Sequence, residues 1–435
     1  MVRTGPGKRI GISDKMDVVR LNGRKRGVTM KRRDFVKMTL AGAAALPFAG
    51  CETSTTPEPP PGETRNALFS VSQIPANALT TGNRHAGVDT LLSLMGQNGL
   101  KFYRSAIPGA PNGTNGLIAS DDVVLIKVNA QWKYRGCTNS DLVRGLIQRI
   151  LEHPEGFQGE VVIIENGQGR GSLACDTSSS YGNSEVHANA QNESHSFLWL
   201  VNSLFNDVRV SSFLLDPVRG VFIGADDHQA NGYRTYENVS YPCFTTAGGR
   251  RVELREGVWN GTSHGTNIKL INVPVLKHHD TGGSEITGAL KHVYGLVSMS
   301  DGQSGFRHYG GLGETCGKMM VSVHTPVLNI MDAVWVSHGA LAGYPASATF
   351  RADTIVASQD PVALDYWTAK HILYPINNDE RHHPDFAGIA AWLGAARDII
   401  ASRGGFDLAS RGILVANPTR TESEMVVHEA ASGTL

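Results

Sequence analysis

Two short runs hold the side chains best suited to chemistry. Leu276-Lys277-His278-His279-Asp280 follows an apolar stretch, and Ile286-Thr287-Gly288-Ala289-Leu290-Lys291-His292 opens a helical one. Thr287 and Gly288 at a helix start would present backbone N–H groups, whose dipoles favour an anion. Lys277 and Lys291 would add positive charge, making a cradle for a carboxylate or phosphate. The GxxxxGK[ST] spacing of a P-loop is absent, and a solvated loop with its lysines in water fits the same spacing. A lysine buried near neutral pKa would also do acid–base work. His279 has the chemistry of a general base or a metal ligand. Asp332 and Asp360, with Glu165, are the oxygen ligands that would complete a divalent-metal site with it. No HxxxH or HExxH run supports a metal locally. Asp360 also reads as a helix N-cap ahead of Pro361, which explains it without any ligand. Asp365 follows about one turn later. Gly302–Gly317, with Arg307, His308 and Cys316, reads as either a mobile flap or a plain loop.

The elements that must position these groups follow from hydrophobic pattern. Asp122–Asn129 and Glu160–Gly167 are continuous apolar runs, as buried parallel strands require. Between them Asn139–Glu152 has helical spacing with Asn139, Ser140 or Asp141 as cap, so the three form a βαβ unit. Residues 168–190 are rich in Gly, Ser and Asn and read as a long binding loop or lid. Ser194–Asn206 reads as a helix. Tyr233–Trp259 alternates around Ala247-Gly248-Gly249-Arg250 as a hairpin insertion. Asn267–Leu276, Val327–Val336 and Thr354–Ser358 are further buried strands, and Ile286–Leu296, Pro361–Leu373 and Phe386–Ser402 are helices. The fold class is α/β, a doubly wound, mostly parallel sheet with an antiparallel hairpin insertion. Ligands of such sheets gather at the strand carboxyl ends. Those ends carry Lys127 and Asn129, Glu165 and Asn166, Lys277 to Asp280, Asp332, and Gln359 and Asp360.

The chain has 435 residues and no formal net charge, but the charge is uneven. Residues 52–435 hold 28 Lys and Arg against 37 Asp and Glu, a net −9. So acidic a body excludes general nucleic-acid binding. Lys31-Arg32-Arg33-Asp34-Phe35-Val36-Lys37 precedes a short apolar run and Ala49-Gly50-Cys51, the pattern of a twin-arginine export signal ending at a lipoprotein-like cleavage site. Residues 1–51 are therefore expected to engage the twin-arginine export machinery. Cys51 would carry the lipid anchor, placing the protein in the periplasm or at the cell surface. Residues 1–29 read as an extension upstream of a start at Met30. The Pro/Thr-rich residues 52–66 form a spacer, and 67–435 the α/β domain. Cys137, Cys175, Cys243 and Cys316 allow two disulfides in three connectivities, or buried thiols. Their spacing argues against an iron–sulfur cluster.

VLIKVN (124–129), NVPVLKHHDTGGSEITGALKHVYGLV (272–297), LNIMDAV (328–334) and VASQDPVALD (356–365) together resemble the family called domain of unknown function 362. The resemblance assigns Lys127 and Asn129 to its first motif, with Val128 where the family has Pro. Lys277 and His279 fill its KxH positions, which favours His279 over His278. Thr287, Gly288 and Lys291 match the next motif, with His292 replacing a common Asn, and Asp332, Asp360 and Asp365 match the last two. The family has no settled activity, so the resemblance implies a fold and a site but no reaction. Many relatives carry a ferredoxin-like cysteine-rich segment that this chain lacks, which weighs against electron transfer. The expectation is an enzyme acting on a small anionic substrate at the strand ends. Lys127, Lys277 and Lys291 would bind the anion, with His279 as base or metal ligand. The alternatives are a non-catalytic binding protein for a carboxylate or phosphate ligand, and a redox partner.

Overall fold

The computed structural model describes residues 66–169, 172–177, 183–279, 284–302, 305–403 and 417–435. The export signal, Cys51, Asp280 and all of the spacer except Asn66 lie outside them. Ten strands form the main sheet, eight of them in one continuous path: β1 (Ala67–Ser72), β2 (Val123–Val128), β3 (Glu160–Glu165), β4 (Val210–Leu214), β5 (Ile268–Val273), β6 (Leu328–Ser337), β7 (Thr349–Ser358) and β8 (Val426–Ala431). Their spatial order is β8-β1-β7-β6-β5-β2-β3-β4. From β6 through β4 all pairs are parallel. β7 runs antiparallel to both β6 and β1.

Every residue of β2, β3 and β5 is buried, because helices cover both faces of the sheet. Side chains alternate between two cores. Val123 and Leu125 face one that includes α3 (Ala289–Val293), α4 (Leu312–Lys318), α5 (Pro361–Thr368) and α6 (Ala387–Ser402). Val124 and Ile126 face the other, with α1 (Ala86–Gln97) and α2 (Ser140–Leu151). The α2 cap is Asn139, whose Oδ1 accepts from the Leu142 N–H at 3.0 Å. Among the described residues no helix is long and apolar enough to cross a membrane.

The insertion is larger than a hairpin. Gly232–Tyr236, Val239–Thr245, Arg251–Glu253, Gly257–Trp259 and His264–Gly265 form a five-stranded antiparallel sheet. The expected strand Asn267–Leu276 is broken by Pro274, which has no N–H for a ladder. After it, Val275–His278 continues alongside β6 and pairs back with Ile286–Thr287, so those two residues are extended and not helical. The direction of β7 changes one expectation about the site. Ser358 sits beside Asn329 at the start of β6. The carboxyl end of β7, with Gln359 and Asp360, thus turns away from the carboxyl ends of the parallel strands.

Candidate functional site

The ends of β2, β3 and the Val275–His278 strand surround a cavity of about 310 Å³, the size of a small-molecule site. Lys127, Asn129, Glu165, Lys277, His279, Thr287 and Lys291 all line it. The structure thus gathers seven of the residues picked out from the sequence. Gly288, Asp332, Asp360 and Asp365 are not among its lining residues.

Lys127 and Glu165 form the buried floor. The Lys127 ammonium donates to Glu165 Oε1 at 2.7 Å and to the Val128 carbonyl at 2.9 Å, and lies 3.1 Å from His292 Nε2. Glu165 also accepts from the backbone N–H groups of Ala130 and Asn166. His292 Nδ1 is 2.6 Å from Asn272 Oδ1, whose own Nδ2 donates to Ala289 O and Asn329 Oδ1. That chain fixes the proton of His292 on Nδ1 and leaves Nε2 to accept from Lys127. Burial and the Lys127 charge hold His292 well below the ordinary histidine range. Lys127 is therefore engaged with Glu165, Val128 and His292 while it lines the cavity. Gly295 covers the pair so closely that a Cβ there would lie 2.9 Å from Lys127 Nζ.

Lys277 differs. Its side chain is 2% exposed and donates to the Gly136 carbonyl at 2.6 Å. Burial pushes its pKa down to about 7, against a smaller opposing pull from Cys137 and Glu165. Thr287 is its direct cross-strand partner, and the Thr287 hydroxyl is buried with no hydrogen-bond partner. Lys291 Nζ lies 2.8 Å from His308 Nε2. Burial, then the Lys291 and Lys277 charges, hold His279 well below the ordinary histidine range, so it is neutral. His279 Nδ1 is 3.0 Å from the Ser284 hydroxyl, whereas His278 turns to His382 at 2.9 Å and does not line the cavity. Among the described lining residues Glu165 is the sole carboxylate, set against Lys127, Lys277 and Lys291.

The helix-start cradle takes another form. The first N–H groups of α3, Ala289 and Leu290, donate to the Asp365 carboxylate at 2.5 and 3.0 Å. That capping needs a glycine at 288, where a Cβ would fall 2.3 Å from Asp365 Oδ1. Thr287 thus lines the cavity, Gly288 makes room for Asp365, and α3 turns its N-terminus to that carboxylate. The expected metal ligands do not meet. Asp332 accepts from the N–H groups of Asn139 and Val334. Asp360 caps α5 through Val362 and Ala363 and accepts from Thr419. Burial raises each of these two carboxyls to about 7.

Residues 267–370 match the family model described as Domain of unknown function (DUF362). This segment is similar to the DUF362 family. The match contains Lys277, His279, Thr287 and Lys291, while Lys127, Asn129 and Glu165 lie outside the DUF362 segment. No curated protein and no solved structure matches the chain. The sequence marks His292 only as a departure from the DUF362 pattern, and His308 only as part of a flap or plain loop over Gly302–Gly317. The signal available for His292 was its place directly after Lys291 within the same motif.

Proposed function

We propose that the cavity binds a small anion, a carboxylate or phosphate compound, and that Lys277 moves a proton to or from it. The supporting observation is the lining itself: three lysines, Lys127, Lys277 and Lys291, converge on one cavity, and Lys277 is buried among them. A lysine titrating near 7 takes up a proton when an anion arrives and can return it to the bound molecule, which favours an enzyme over a passive receptor. His279 and His292, both neutral, add no charge and act as hydrogen-bonding groups. The buried Thr287 hydroxyl supplies a directional contact.

The test measures thermal stability and calorimetric binding with orthophosphate, pyrophosphate and a set of mono- and dicarboxylates. One class raises the melting temperature of the native chain, and Lys291→Ala weakens that binding at least about tenfold, the loss of one charge-assisted contact. Absence of any stabilising anion, or equal affinity in Lys291→Ala, overturns the proposal. The export reading of Lys31–Cys51 would place this activity at a membrane surface, and is checked by whether Cys51→Ser abolishes lipid labelling.

A further inference from the structure

The antiparallel insertion carries a second cluster of ligating side chains, none of which lines the lysine cavity. Glu253 ends the strand Arg251–Glu253, His264 opens the edge strand His264–Gly265, and His228 lies in the loop before Gly232. Glu253 Oε1 is 3.0 Å from His228 Nδ1 and 3.4 Å from His264 Nε2. Donor atoms held about 2.0–2.1 Å from a tetrahedral ion stand about 3.3–3.4 Å apart, close to this spacing. The second observation is a buried atom with nothing to bond. His264 Nε2 is inaccessible to solvent and has no hydrogen-bond partner, so a hydrogen-bonded His228–Glu253 pair does not account for it. Glu253 is fully buried, and Arg234 Nη1 sits 3.3 Å from its other oxygen, Oε2, leaving Oε1 to the two imidazoles. Trp259 stacks on His228 with centroids 4.0 Å apart and planes 7° apart, and packs 4.9 Å from His264, which orients both rings.

We propose that His228, Glu253 and His264 bind a divalent transition-metal ion of the zinc class through Nδ1, Oε1 and Nε2. Two imidazoles and one carboxylate are a donor set that suits such ions and leaves a fourth position for water. The ion ties the loop before the first strand of the small sheet to its third and fifth strands.

The experiment strips the full-length protein with a chelator, then adds Zn²⁺ or Co²⁺ alone and measures bound metal by elemental mass spectrometry. One ion per chain is expected, with the strong visible absorption of tetrahedral Co²⁺. His228→Asn and His264→Asn each weaken binding by at least about 10–100-fold, the cost of losing even an outer partner. His187→Asn and His279→Asn bind as the native chain does. Zinc X-ray absorption of the native protein, which needs no variant to fold, should show scattering from two imidazole rings. No bound metal, equal binding in His264→Asn, loss of metal in His279→Asn, or a spectrum without imidazole overturns the assignment.

Discussion

Replacing Lys277 with methionine asks whether its ammonium is buried against its own preference. A fall from 10.5 to about 7 means that folding disfavours the charged form by about 5 kcal/mol. Between about pH 7 and 10.5 the unfolded lysine holds a proton that the folded one has released, so native stability rises with pH across that window. Below about pH 7 both states are protonated and the whole penalty applies. Methionine fills similar space without charge, at the expense of about 1–3 kcal/mol for an unpaired Gly136 carbonyl. Lys277→Met should therefore be more stable than the native chain at pH 6 by about 2–4 kcal/mol. The gap should narrow by about 2 kcal/mol between pH 7 and pH 9. Urea unfolding of both proteins at pH 6, 7, 8 and 9 measures it. Parallel stability curves, or a less stable variant at pH 6, would refute the reasoning, since the slope does not depend on the carbonyl term.

Lys127→Met carries the opposite sign: it strands Glu165 in the core and should cost about 3–5 kcal/mol in the same unfolding assay. Gly288→Ala must displace Asp365 from the start of α3 and should lose about 1–3 kcal/mol, read as a lower melting temperature. Asp360→Ala should lose about 0.5–2 kcal/mol with its cap while leaving anion affinity unchanged. Cys137 and Cys175 are hydrogen-bonded neighbours, and all four described cysteines are free, buried thiols. Oxidised glutathione should join Cys137 to Cys175, seen as the loss of two hydrogens by mass spectrometry, and leave Cys243 and Cys316 available for alkylation after unfolding.

The buried strands β2 and β3 are legible almost residue by residue, because VVLIKV and EVVIIE cannot be half-exposed. Strand direction is not legible: the buried half of the antiparallel β7, Thr354–Ser358, has the same composition as a parallel strand, which is why Asp360 reads as a strand end facing the site. β1 and β8 pair across most of the chain, which no local pattern announces. The lysines and His279 were found because they follow apolar runs directly. The partners that decide their chemistry were hidden by sequence distance, since Asp365 caps a helix 76 residues earlier and Glu165 neutralises a lysine 38 residues earlier. His228, Glu253 and His264 share no motif spacing at all, and only the folding of the insertion brings them together.

The cavity straddles the border of the matched family segment. β5, β6, Lys277 and Lys291 lie within residues 267–370, yet Lys127 and Glu165 come from strands β2 and β3, which precede the segment by more than a hundred residues. Cut out alone, that segment would expose the whole edge of β5, from Ile268 to Val273, to any strand it met. The heritable unit must therefore be longer than the segment by which it is recognised. A search for working relatives should ask for a Lys–Glu pair upstream of the KxH strand, whatever lies between.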